Sequence, residues 1–305
     1  MSVDATIDRL GNARTRRWAR RVWDGARLMR LHKPVGILLL LWPLLWTLWI
    51  VPGGAPPLRI LAIFVAGTIV MRSAGCVVND FADRHIDPHV KRTLDRPLAA
   101  RRISPHEALV LFAALLAIAL WLVTRLDLAT VLWSFGGAAL TVSYPFAKRF
   151  FPLPQVWLGA AFGWAVPMAC VALTGQVGQL GWLLFLVTLV WAAVYDTFYA
   201  MVDRDDDLKL GIRSTAITFG DLDLVAIAAM QIMVIGGLWS VGTALRYGWR
   251  FQAGLAIGAL LFAWQLWLAR KRDRAGCFRA FQNNQWFGLV VFAAVLWELY
   301  ARNSG

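Results

Sequence analysis

The residues best suited to chemistry fall in two acidic segments. The first reads Arg72-Ser-Ala-Gly-Cys-Val-Val-Asn79-Asp80-Phe-Ala-Asp83-Arg84-His-Ile-Asp87. If a helix runs through it, Asn79, Asp83 and Asp87 recur every four residues, with Asp80 three before Asp83, and the four share one face. Carboxylates at this spacing repel one another unless a cation compensates, and hard oxygen donors of this kind suit Mg2+. Arg72 lies two turns before Asn79 on the same side but deeper in an apolar run, where a charge is expensive and usually functional. The second segment reads Tyr195-Asp196-Thr-Phe-Tyr199-Ala-Met-Val-Asp203-Arg204-Asp205-Asp206-Asp207. Its Asp196, Asp203 and Asp207, at intervals of seven and four, form one helical stripe. Basic groups stand around both: Lys91, Arg92 and Arg96 after the first, Lys148 and Arg149 in Tyr144-Pro-Phe-Ala-Lys-Arg, and Lys209 and Arg213 after the second. Carboxylates that bind Mg2+ amid Arg and Lys make a site for a diphosphate, the metal bridging acids to phosphate oxygens and guanidinium forks holding the rest.

The elements that must position these residues are membrane helices. Of 305 residues, 59% are hydrophobic and only 16% charged, and the mean hydropathy is +0.58. Soluble chains run about 45–50% apolar and about 25% charged. A span needs about 20 apolar residues, and with charged or Gly/Pro-rich breaks as limits nine apolar runs emerge: Val35–Ile50, Leu58–Val78, Ala108–Val123, Ala129–Phe146, Val156–Leu173, Leu180–Phe198, Leu224–Leu245, Ala253–Leu268 and Trp286–Tyr300. The stretch Arg14–Leu31, with Trp18, Trp23, Leu28 and Met29 among its arginines, reads as an interfacial amphipathic helix or as a basic tail that sets topology. In alternate connections, 26 of the 31 Lys and Arg fall on the side of the N-terminus and the acidic loops. The positive-inside rule places that side in the cytoplasm. The acidic segments follow the second and sixth runs, which suggests two four-helix halves plus a ninth helix.

Other classes find little support. The net charge of +13 comes from short basic clusters between apolar runs, which fits topology and not a nucleic-acid partner. Cys76, Cys170 and Cys277 have no metal or disulfide spacing. His85 and His89, four apart, suit a metal or a polar loop. Neither GxGxxG nor GxxxxGK[ST] occurs, so the diphosphate belongs to a lipid substrate. A substrate carrier is the rival from another class, but it calls for polar residues at mid-membrane in both halves, and here the acids gather at the cytoplasmic ends.

With Asn79-Asp80-Phe-Ala-Asp83-Arg-His-Ile-Asp87, followed by Lys91-Arg92-Thr93-Leu-Asp95-Arg96-Pro97, and with the Tyr195-to-Asp207 run continuing to Gly211-Ile-Arg213-Ser214-Thr215, the chain resembles the intramembrane aromatic prenyltransferases. The second signature resembles the branch that acts on 4-hydroxybenzoate in ubiquinone biosynthesis. Weaker matches are Arg30-Leu-His-Lys33-Pro34, Ser143-Tyr144-Pro145 and Phe162-Gly163-Trp164, so the likeness covers residues 27 to 300. It implies one all-α, polytopic membrane domain over 1–305, with a basic amphipathic segment (1–34) and nine transmembrane helices (35–300) around a central cavity. It implies Mg2+-dependent transfer of a polyprenyl group from polyprenyl diphosphate to the ring carbon ortho to the hydroxyl of 4-hydroxybenzoate. The setting is a bacterial-type inner membrane, with N-terminus and site loops cytoplasmic, membrane lipid around the chain and no protein partner. Residue by residue, Asn79, Asp83, Asp87, Asp203 and Asp207 are expected on Mg2+, with Asp80 and Asp196 as supporting acids. Arg92, Arg96, Lys148 and Arg149 are expected on the diphosphate, Arg72 on the benzoate carboxylate, and Lys33 on either anion.

Overall fold

A computed structural model of the chain describes residues 6–7, 12–90, 93–147, 151, 153–211 and 213–303. Each of the nine apolar runs is helical. The helices are α1 (Ala13–Leu28), α2 (Val35–Ile50), α3 (Leu58–Ala82), α4 (Pro105–Val123), α5 (Leu128–Ala147), α6 (Pro154–Gly163), α7 (Ala165–Thr174), α8 (Gly178–Leu210), α9 (Thr215–Phe219), α10 (Asp223–Ala244), α11 (Trp249–Ala269) and α12 (Arg274–Asn303), with a 3-10 turn at Asp87–His89. Among the described residues, six helical stretches are long and apolar enough to cross a membrane: Leu58–Ala82, Pro105–Val123, Pro154–Thr174, Gly178–Lys209, Thr215–Ala244 and Trp249–Ala269. Val35–Ile50 is a shorter apolar helix.

The fifth run, expected as one helix, breaks at Trp164. Pro167, in the first turn of α7, has no N–H to give the preceding turn, so the helical ladder is interrupted between α6 and α7. Trp164 stands at the break. Its indole donates to the Trp133 carbonyl at 2.8 Å and lies 5.4 Å from the Trp133 ring. Gly136 and Gly137 of α5 leave it room, since a Cβ on either would stand 2.6 or 2.8 Å from its ring.

By contacts the chain forms two compact units, Met1–Pro34 with Ile69–Ala119, and Val35–Thr68 with Leu120–Gly305. In the first, Leu28 at the end of α1 is buried with Ala74 and Val77 of α3, Leu98, and Ala108 and Leu115 of α4. Ion pairs fasten the same helix, Asp24 to Arg102 at 3.0 Å and Arg21 to Glu107 at 3.5 Å, while Trp18 and Val22 remain exposed. In the second unit α12 packs on α11, α2 and α8, and α8 also packs on α6 and α10. Its centre is aromatic: Trp46 stacks on Trp191 at 5.1 Å and Phe262 on Phe287 at 4.0 Å. Two buried polar pairs link helices there, Trp191 Nε1 with Asn284 Oδ1 at 2.9 Å and Gln231 with Gln265 at 3.2 Å. Such pairs hold membrane helices together at about 0.6–2 kcal/mol each.

Helix ends show one recurring choice. The left-handed conformation after a helix normally falls to glycine, as at Gly175 and Gly211, but among the described residues the four non-glycine residues with positive φ are all arginines: Arg30 (59°), Arg101 (56°), Arg246 (55°) and Arg272 (53°).

Candidate active site

In the first unit the acidic segment leaves its helix earlier than the sequence spacing implies. Helix α3 ends at Ala82 and Asp83–Ile86 is a turn, so Asp87 is not on a continuous helical face. The four-residue rhythm survives in hydrogen bonds: the Asp83 N–H donates to the Asn79 carbonyl at 3.0 Å and the Asp87 N–H to the Asp83 carbonyl at 2.9 Å. Asp80, Asp83 and Asp87 are all buried, at 1%, 5% and 4% exposure. Burying three carboxylates is costly unless charge compensates. Two arginines supply it. Arg30 Nη2 donates to both oxygens of Asp80, at 2.9 and 3.0 Å. Arg96 Nη1 lies 3.0 Å from Asp80 and donates to both oxygens of Asp87, at 2.9 and 2.8 Å.

The loop that returns Arg96 to its acids is closed by Thr93, whose hydroxyl donates to the Asp87 carbonyl at 2.7 Å. Burial still dominates at Asp87. It pushes that carboxyl up to about 6, against the pull of Arg96 and with a further push from Asp80 and Asp83. Arg72 lies on α3, partly buried, two turns before Asn79, and Lys33 is exposed in the turn between α1 and α2. His85 and His89 are exposed. Arg92, Lys148 and Arg149 lie outside the described residues.

In the second unit the helical expectation holds through the whole acidic run. Helix α8 continues to Leu210 and is capped by Gly211 in the left-handed region, its N–H donating to the Asp207 carbonyl. Asp196, Asp203 and Asp207 therefore share a stripe; Asp203 is buried and the other two are partly exposed. Of the motif's tyrosines, Tyr195 stands edge-on to Trp191 and Tyr199 lies 4.8 Å from Phe281 of α12. Thr197 is tied to the segment that follows α8: its hydroxyl is 2.8 Å from that of Thr215, whose N–H donates to Gln155 Oε1 at 3.0 Å.

Several contacts lay outside the sequence reading. Arg30 is visible in the sequence only as part of Arg30-Leu-His-Lys-Pro, and Thr93 only within the Lys91-to-Pro97 run. Arg204 and Arg272 form an ion cluster around the fully buried Asp223, and Arg274 pairs with Asp206 at 3.1 Å and Asp205 at 3.5 Å. Sequence separations of 19 to 69 residues hide the ion pairs among these.

The donor chemistry suits Mg2+. Asn79, Asp83, Asp87, Asp203 and Asp207 offer oxygen only, and Mg2+ is usually held by one or two carboxylates together with substrate phosphates and water. Among the described residues no three His, Cys, Asp or Glu side chains gather as a cage, and a cation carried in with a diphosphate needs none.

Residues 40–296 match the family model described as the UbiA prenyltransferase family. The chain is 50% identical over 282 residues to the 4-hydroxybenzoate octaprenyltransferase of Pseudomonas syringae pv. syringae (strain B728a), covering 92% of this chain and 95% of that protein. It is 50% identical over 280 residues to that of Alkalilimnicola ehrlichii (strain ATCC BAA-1101 / DSM 17681 / MLHE-1), covering 92% and 96%. Among solved structures, the apo structure of a UbiA homolog from Aeropyrum pernix K1 superposes with a TM-score of 0.75 at 27% identity, over 86% of this chain and 96% of that one. A UbiA homolog from Archaeoglobus fulgidus bound to GPP and Mg2+ shares the fold, with a TM-score of 0.68 at 18% identity over 89% and 99%.

Proposed function

The chain belongs to the UbiA prenyltransferase family, and from that premise we propose that it moves a polyprenyl group from polyprenyl diphosphate to the carbon ortho to the hydroxyl of 4-hydroxybenzoate, a step of ubiquinone biosynthesis. The observation that carries this reading is a pair of intact acidic segments in a chain half identical, over 92% of its length, to 4-hydroxybenzoate octaprenyltransferases. It is read as a nine-span protein of the bacterial inner membrane, with its N-terminus and acidic segments cytoplasmic, because all nine apolar runs are helical and the basic residues concentrate on one side. Two four-helix halves with a ninth helix belong to this reading.

Asn79, Asp83 and Asp87 from one segment and Asp203 and Asp207 from the other would hold the Mg2+ that enters with the diphosphate, one or two carboxylates to each ion. The metal supplies positive charge where the leaving diphosphate gains negative charge, the kind of electrostatic stabilisation that often dominates catalysis. Asp80 acts on Arg30 and Arg96, keeping both guanidiniums in place. Arg96, with Arg92, Lys148 and Arg149, binds phosphate oxygens. Arg72 orients the acceptor by its carboxylate, Lys33 adds positive charge at the mouth, and Asp196 takes the proton lost from the ring carbon.

The test is product detection by mass spectrometry on purified membranes given 4-hydroxybenzoate and octaprenyl diphosphate, with Mg2+ or EDTA, beside an Asp83→Asn control. A prenylated benzoate that vanishes with EDTA and in the variant is the expected result. No product from inserted, folded protein would overturn the acceptor assignment.

A further inference from the structure

The Asp203-Arg-Asp-Asp-Asp207 run places four carboxylates in the last turns of α8, where the helix dipole already carries negative charge. An isolated helix would fray there. At about 100° per residue, Arg204 projects about 80° to one side of the Asp203/Asp207 stripe and Asp206 falls a similar angle to the other. Both flanks are clamped. On the first, Arg204 pairs with Asp223, the fully buried first residue of α10, and also donates to the Ala216 carbonyl at 2.9 Å. Asp223 is held from its far side by Arg272, whose Nε donates at 3.0 Å, and Arg272 Nη2 reaches the Asp221 carbonyl at 2.8 Å. On the second flank, Arg274 at the start of α12 takes Asp206 at 3.1 Å.

From this bracketing we infer that Arg204, Asp223 and Arg272 are positioning residues for the metal. They fix the rotation of the end of α8, so that Asp203 and Asp207 present their oxygens at one helical spacing. The inference rests on the assignment of those two acids to Mg2+ under Proposed function. Removal of a residue that orients a metal ligand typically lowers metal affinity about 10- to 100-fold.

The experiment uses the full chain in nanodiscs and Mn2+ as an EPR probe, titrated in the presence of inorganic diphosphate, for the parent, Arg272→Gln, Arg272→Lys and Asp203→Asn. Hydrogen exchange of the amides of residues 203–211 is followed in parallel. Arg272→Gln is expected to weaken Mn2+ about tenfold and to speed exchange over 203–211, with Arg272→Lys recovering most of both. Parent-like affinity in Arg272→Gln would overturn the inference, as would equal losses in the Gln and Lys variants. If Asp203→Asn binds Mn2+ as the parent does, the metal assignment itself fails. If Asp203→Asn weakens binding and Arg272→Gln does not, the positioning role alone fails.

Discussion

At the scale of single residues, the two acidic segments make separable demands. Asp83→Asn and Asp203→Asn are expected to abolish Mg2+-dependent turnover while the protein still inserts, which membrane-fraction blotting beside the assay would check. Arg72→Ala is expected to raise the KM for 4-hydroxybenzoate far more than that for the prenyl diphosphate, and equal losses for both would remove it from the acceptor site. The carboxyl of Asp87 rises from 3.8 to about 6 mainly through burial. Because its folded value is raised, ionised Asp87 opposes folding above about pH 6, and that cost disappears as pH falls toward 4. With Asp87 proposed to hold the metal in its ionised form, the Mg2+ concentration giving half-maximal activity is expected to climb as pH drops through 6; kinetics at pH 5.5 and 7.5 test it. The acids were legible in the sequence because spacings of three, four and seven mean one face on any helix. Their counter-charges were not. Arg30 meets Asp80 across 50 residues, a contact fixed by where α1 ends and not by any local pattern.

At the scale of helices, the apolar runs located the six helical stretches long enough to cross a membrane among the described residues, but few of their ends. Hydropathy registers burial in apolar surroundings, whereas ends are set by caps and prolines. Helix α2 matches its run to the residue, but α8 runs twelve residues past Phe198 and α12 starts twelve before Trp286, through polar sequence with no hydropathy signal. The break at Trp164 needed Pro167 to be read as a stop. Close helix contact is likewise a matter of single atoms. A Cβ at Gly159 of α6 would stand 2.6 Å from the Leu189 carbonyl oxygen of α8, whereas one at Gly236 of α10 meets nothing within 4 Å. Gly159→Ala is therefore expected to destabilise by about 1–3 kcal/mol, and Gly236→Ala to stabilise by about 0.5–1 kcal/mol. Thermal unfolding of both in detergent would show shifts of opposite sign.

At the scale of the whole chain, orientation is the property that charge counting addresses and a helix list does not. The three native cysteines are buried, so a single introduced thiol can report its side of the membrane without removing them. Asp95→Cys is expected to react with an impermeant maleimide only from the cytoplasmic face, and Arg125→Cys only from the other. The left-handed arginines at helix ends bear on how such a chain can change under selection. Glycine would relax each corner by about 1 kcal/mol, so heat selection in laboratory evolution favours it wherever the side chain is idle. Arg101 and Arg246 are exposed, and glycine is expected to accumulate there. Arg30 grips Asp80 and Arg272 grips Asp223, so at those two corners a sturdier backbone would come only with the loss of a charge, and the lineage should keep its arginines.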